Sequence, residues 1–104
     1  MAWVVLVVSG ILETVWAAAL SASHGFARLV PTVVFGVALV LSMAGLAYAL
    51  REIPVGTGYA MWVGIGATGT AIVGMVALGE PANTARLVCL TLIVAGVVGL
   101  KVLH

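Results

Sequence analysis

The chain has 104 residues, 64% of them hydrophobic and only 7% charged, with a formal net charge of +1 and a mean hydropathy of +1.35. A soluble domain carries about a quarter charged residues, so the composition describes an integral membrane protein with no room for a separate soluble domain. The near-zero charge argues against a nucleic-acid partner. One cysteine, Cys89, excludes an intramolecular disulfide, and zinc ligands are lacking; Cys89 itself reads as a small hydrophobe.

Four apolar runs follow in order, at about residues 3–22, 29–50, 55–78 and 84–103, and are predicted to form one all-α transmembrane domain over 1–104. Each is close to the ~20 residues that cross a ~30 Å hydrocarbon core, and a helix pairs its own backbone groups where lipid offers none. A cleaved signal peptide is disfavoured for the first run. No Lys or Arg precedes it, an acid interrupts it, and its ~20 residues exceed an ordinary signal core. Gly25 is placed to end the first helix. Pro31 fits the first turn of the second, and Pro54 disfavours helix at the residue before it. Gly79-Glu80-Pro81 ends the third run, and Asn83 or Thr84 is placed to cap the fourth.

Within the first run stands Glu13. A carboxylate at the centre of a membrane helix costs about 2.5–3.5 kcal/mol on insertion scales, and such acids mark transport paths. Gly10, Glu13 and Trp16 are spaced by three and share a helix face. On that face Gly10 opens space beside the acid, and Trp16 supplies an aromatic wall and an indole N–H able to donate to the carboxylate. Ser9 lies near the same face. Thr14 is expected to bond back to its own helix and is assigned no chemistry. On the third helix Tyr59 and Trp62 share a face; an interfacial aromatic belt suits Tyr59 equally well and Trp62 less. The Gly64, Gly66 and Gly69 cluster permits close packing or a hinge. Ser42 is a polar residue at midplane depth on the second helix. Gly96 and Gly99 on the fourth suit a helix–helix contact, and Arg86 and Lys101 are placed to snorkel.

The Lys and Arg residues divide two against two: Arg51 and Lys101 on the side of the termini, Arg28 and Arg86 on the other. His24 and His104 divide as well. The bias that normally fixes orientation is therefore zero, and a chain without bias is expected to insert both ways unless the N-terminal amine decides. One upright and one inverted copy form the two-chain version of an inverted repeat, with the substrate site at the midplane.

These residues carry a resemblance. The chain resembles the small multidrug resistance family of bacterial exporters along its whole length. Matching features are the helix-1 acid, Gly25-Phe26-Ala27-Arg28-Leu29-Val30-Pro31, Ile53-Pro54-Val55-Gly56, Tyr59-Ala60-Met61-Trp62, and a helix-4 stretch around Gly96 that looks like the family's dimer contact. Trp16, Gly64-Ile65-Gly66-Ala67, Glu80-Pro81 and Gly99-Leu100-Lys101 look more like its guanidinium exporters than its quaternary ammonium branch. Where members of the family often carry Lys after the first helix, this chain has Ser21. The resemblance implies an antiparallel, dual-topology homodimer in the bacterial inner membrane that exports a guanidinium-type cation in exchange for protons, without cofactor or metal. It implies that Glu13 of both subunits binds substrate or proton, and that Gly10, Trp16, Ser42, Tyr59 and Trp62 line the site.

Guanidinium is planar, and its donors match a carboxylate two on two; aromatic faces add about 0.5–2 kcal/mol each by cation–π attraction. Two other readings stay open. A broader exporter of quaternary ammonium and hydrophobic cations would use the same aromatic walls. A non-transporting membrane subunit would use Glu13 as helix–helix glue. No nucleophile–base pair or cofactor loop points to an enzyme.

Overall fold

The computed structural model describes residues 1–103; His104, counted above in the charge division, lies outside the described residues. The chain forms four α-helices: α1 Ala2–Ala22, α2 Leu29–Ala49, α3 Val55–Ala77 and α4 Thr84–Leu103. All four are long and apolar enough to cross a membrane. At ~1.5 Å per residue, even 20 residues reach about 30 Å.

The helix ends follow from local chemistry. At the end of α1 the buried Ser23 hydroxyl donates to the Leu20 carbonyl and accepts from the Phe26 amide. Gly25 takes a left-handed φ of +71°, and its neighbours His24 and Phe26 share that region at 49° and 69°, a conformation a residue with a Cβ adopts at a cost. Pro31 sits in the first turn of α2, and Pro54 directly precedes α3. Gly79, also left-handed at +71°, turns the chain out of α3, and the Glu80 amide donates back to the Gly74 carbonyl. Asn83, rather than Thr84, caps α4: its side-chain oxygen accepts from the Arg86 amide at 2.8 Å. Arg86 pairs with Glu80 across the same loop, so it does more than snorkel.

α1 lies between α2 and α3, and α4 packs on α3 and buries none of its own residues. The buried cluster of Ala2, Leu6, Leu46, Ala49, Ile53, Met61 and Trp62 joins the start of α1, the end of α2 and the start of α3. In lipid, helices associate by close packing and interhelical hydrogen bonds, because the tails are as apolar as the side chains. The glycines of α3 are the close-packing points. Gly64 faces Val97 of α4, Gly66 faces Glu13, and Gly69 faces Thr14. α3 runs through all three without a break. The last turn of α4 reaches α1 through Lys101, whose Nζ stands 4.4 Å from the centre of the Trp3 ring.

Candidate functional site

The expected polar residues form two neighbouring groups. The first is built on Ser42. Its hydroxyl, fully buried, donates to the Ser9 carbonyl of α1 at 2.7 Å and accepts from the Trp62 indole N–H of α3 at 3.2 Å. One serine thus ties three helices. The reason lies in register: Ser42 faces α1 where the Ser9 carbonyl is exposed on the helix surface, and Gly45, one turn on, lets α2 approach so closely that a Cβ there would overlap the Ser9 side chain. The Ser9 hydroxyl itself bonds back to Val5. Tyr59 stacks beside Trp62, ring centres 5.7 Å apart and planes tilted by 37°. Tyr59 is half-exposed while Trp62 is buried, so the aromatic face continues from the interior to the surface of the chain.

The second group is built on Glu13. Its carboxylate lies against α3 at Gly66, in the space a Cβ would fill. The helical amides of α3 are committed to their own ladder and offer it no donor. Glu13 Oε2 is buried and without a hydrogen-bond partner. Thr14, the next residue, donates its hydroxyl to the Gly66 carbonyl at 3.3 Å.

Several expectations need correction. Gly10 does not open space beside the acid: it receives the Ile65 side chain and faces the Trp62 carbonyl, and the glycine beside the carboxylate is Gly66. The Trp16 indole does not donate to Glu13. Its Nε1 is buried without a partner, and the ring stands edge-on to Phe35 of α2 at 6.0 Å. The physical reason is helical drift. Three residues turn about 300°, so each step of three falls about 60° short of a full turn, and the face that meets α3 at Gly10 meets α2 by Trp16. Thr14 does not bond back to its own helix. Ser42 and Thr14 both choose carbonyls of neighbouring helices, against the usual intrahelical habit of membrane hydroxyls. Phe35, which nothing in the sequence singles out, has its ring 5.7 Å from that of Phe26 and extends the Trp16 contact to the first loop.

Chemically, the arrangement offers an unpartnered carboxylate oxygen inside a membrane span, with an aromatic pair and a buried hydroxyl network on the neighbouring helices. Gly96 has open space around the position of a Cβ and lies on the exposed α4. Between α1, α3 and α4 is an apolar recess of about 410 Å³, lined in part by Thr14, Gly64, Thr68 and Val97. Among the described residues no group of three His, Cys, Asp or Glu side chains is placed to hold a metal.

Similarity to known proteins agrees with this picture. The family model described as Small Multidrug Resistance protein matches residues 1–93, a span that holds Glu13, Ser42, Tyr59 and Trp62 and stops short of Gly96 and Lys101. A protein of Escherichia coli K12 named guanidinium exporter is 55% identical over 101 residues, covering 97% of this chain and 96% of its own length. Guanidinium exporters of Yersinia pestis and Salmonella typhimurium are each 54% identical over 101 residues, covering 97% of this chain and, respectively, 97% and 96% of their own. A match of this reach, on a chain of four membrane-length helices, makes the protein a member of the small multidrug resistance family: a multi-pass transporter of the bacterial inner membrane.

Proposed function

We propose that this protein is a proton-coupled antiporter that exports guanidinium and related guanidinyl cations, working as an antiparallel, dual-topology homodimer. Relatives sharing more than half of the aligned residues bear the name guanidinium exporter. The observation that carries the mechanism is the Glu13 carboxylate, with Oε2 buried and unpartnered on the bare backbone of Gly66. A buried anionic oxygen without a donor is costly. A proton removes its charge, and a guanidinium ion supplies donors and an opposite charge. The two ligands therefore compete for one group. Exchange follows when the dimer changes access only while loaded with one or the other. A guanidinium plane fits a carboxylate with two parallel N–H···O bonds, and in this reading the paired Tyr59 and Trp62 rings supply a π face for cation–π attraction. In this reading Trp16, Ser42 and Gly10 support the site wall through the contacts described above.

Glue between helices is the poorer reading of Glu13. Glue requires a bond to another helix, and here Ser42 and Thr14 make those bonds. The aromatic walls also suit quaternary ammonium ions, which need only charge and apolar surface. Competition between guanidinium and a tetraalkylammonium separates the two substrate classes, because only the former gains from paired donors.

The test is transport by purified protein in liposomes. Under an imposed proton gradient the parent carries guanidinium and gives a coupled current. Glu13→Gln loses both while still assembling as a dimer. Proton-driven guanidinium uptake by liposomes holding Glu13→Gln would sink the proposal.

A further inference from the structure

Glu13 and Thr14 are consecutive on α1, and both dock on the same short stretch of α3. Gly66 meets Glu13 with its bare Cα and Thr14 with its carbonyl oxygen. Gly69, three residues further along the same face, receives the Thr14 side chain. A Cβ at Gly66 would collide with the Glu13 carboxyl group, and a Cβ at Gly69 with the Thr14 hydroxyl. The contact therefore needs three things at once: two absent side chains and one hydroxyl. One residue of slip along α1 rotates its surface by about 100° and swings the carboxylate off the glycine.

We infer that Thr14 and Gly66 are positioning residues for the exchanging carboxylate: the hydroxyl–carbonyl bond, seated by Gly66 and Gly69, locks the register of α1 on α3 that lays Glu13 on donor-free backbone. The inference rests on the reading that Glu13 is the group proton and cation share. A cation that docks with two parallel hydrogen bonds needs the carboxylate plane held in one orientation. The bare glycine offers Oε2 no donor, and the Thr14 bond fixes where the Glu13 Cα stands over that backbone. Neither residue has to touch the substrate.

Thr14→Val keeps the branched shape and removes the hydroxyl, while Thr14→Ser keeps the hydroxyl. In liposomes at a fixed proton gradient, Thr14→Val raises the guanidinium KM about fivefold, the change carried by one net hydrogen bond, and leaves the maximal rate per dimer within about twofold. Thr14→Ser stays within about twofold of the parent in both. A contact that serves packing alone would lower the dimer yield and the maximal rate at a parental KM, and that result overturns the inference. A second readout needs no substrate: the infrared band of the protonated Glu13 carboxyl, identified by its absence in Glu13→Gln. In Thr14→Val this band shifts or splits as the carboxyl leaves its single environment; in Thr14→Ser it does not. A parental band in Thr14→Val overturns the inference. If guanidinium fails to diminish the band of the parent protein, the exporter reading fails, and the comparison of the two Thr14 variants still decides the positioning role.

Discussion

Ser42→Ala offers the sharpest measurement of what holds the three inner helices together. The substitution removes one hydroxyl that is fully buried and makes two interhelical bonds, to the Ser9 carbonyl and from the Trp62 indole. The Ser9 carbonyl keeps its bond within α1, so the loss there is partial. The Trp62 N–H is different, because its residue is 5% exposed and no lipid atom replaces the acceptor. Interhelical side-chain bonds in a bilayer average about 0.6 kcal/mol and reach about 1.7 kcal/mol. An orphaned buried donor adds about 1–3 kcal/mol. The expected total for Ser42→Ala is about 2 kcal/mol. A double-mutant cycle with Trp62→Phe, which deletes the N–H, isolates the pair. With the donor already gone, removing Ser42 costs less, and the coupling should be about 0.6–1.7 kcal/mol, or about 3- to 18-fold in the unfolding equilibrium. The assay is reversible unfolding in mixed detergent micelles at one protomer concentration, since dimer stability depends on it, with Trp3 and Trp16 fluorescence as reporters. A coupling below about 0.3 kcal/mol would refute the reasoning: Ser42 and Trp62 would then be neighbours without a bond of consequence.

Two further outcomes follow from the charge division and from α4. Ser21→Lys places a third positive charge on the side of Arg28 and Arg86, against two on the other, and should bias insertion toward one orientation. A single cysteine introduced into the first loop of a Cys89→Ser background reports it: labelled from both sides of the membrane in the parent, from one side in the variant, with transport reduced in step. Labelling from both sides in Ser21→Lys would remove the charge balance as the cause of dual insertion. Gly96→Leu adds a side chain where the single chain has open space, so it should leave the helices of one copy undisturbed and weaken dimer cross-linking. Parental cross-linking would take Gly96 out of the dimer contact.

The parts of this molecule that the bilayer dictates could be seen in the sequence. Four helices were visible because lipid forbids other ways of pairing the backbone, and their ends were visible because Gly25, Pro54 and Gly79 punctuate the chain. Glu13 stands out because an acid inside an apolar run is visible from the run alone. What surrounds it depends on register between helices, and one sequence does not carry that directly. Ser42 and Ser9 are 33 residues apart and Thr14 and Gly66 are 52 apart. Nothing local distinguishes a hydroxyl that bonds a neighbouring helix from one that bonds its own. Gly66 was legible as a small residue and not as the seat of the acid, since Gly64 and Gly69 have the same local character and face Val97 and Thr14. At Trp16 spacing by three runs over two steps from Gly10, and the accumulated drift carries the ring to Phe35.

The exposure of α4 does not by itself call for a partner. A helix with no buried residue is comfortable in lipid, because apolar side chains lose nothing there. The stronger argument comes from the polar atoms. Glu13 Oε2, Trp16 Nε1 and Thr68 Oγ1 are buried in the single chain without hydrogen-bond partners, and hydrocarbon supplies neither donors nor acceptors. The three look in different directions. Trp16 lies by Phe35 of α2, Glu13 on Gly66 of α3, and Thr68 on the recess between α1, α3 and α4. No single small cation reaches all of them. Of the three only the Glu13 oxygen is anionic, so its satisfaction changes with the proton or cation it takes up. Proton and cation can then drive a change of access through that one carboxylate.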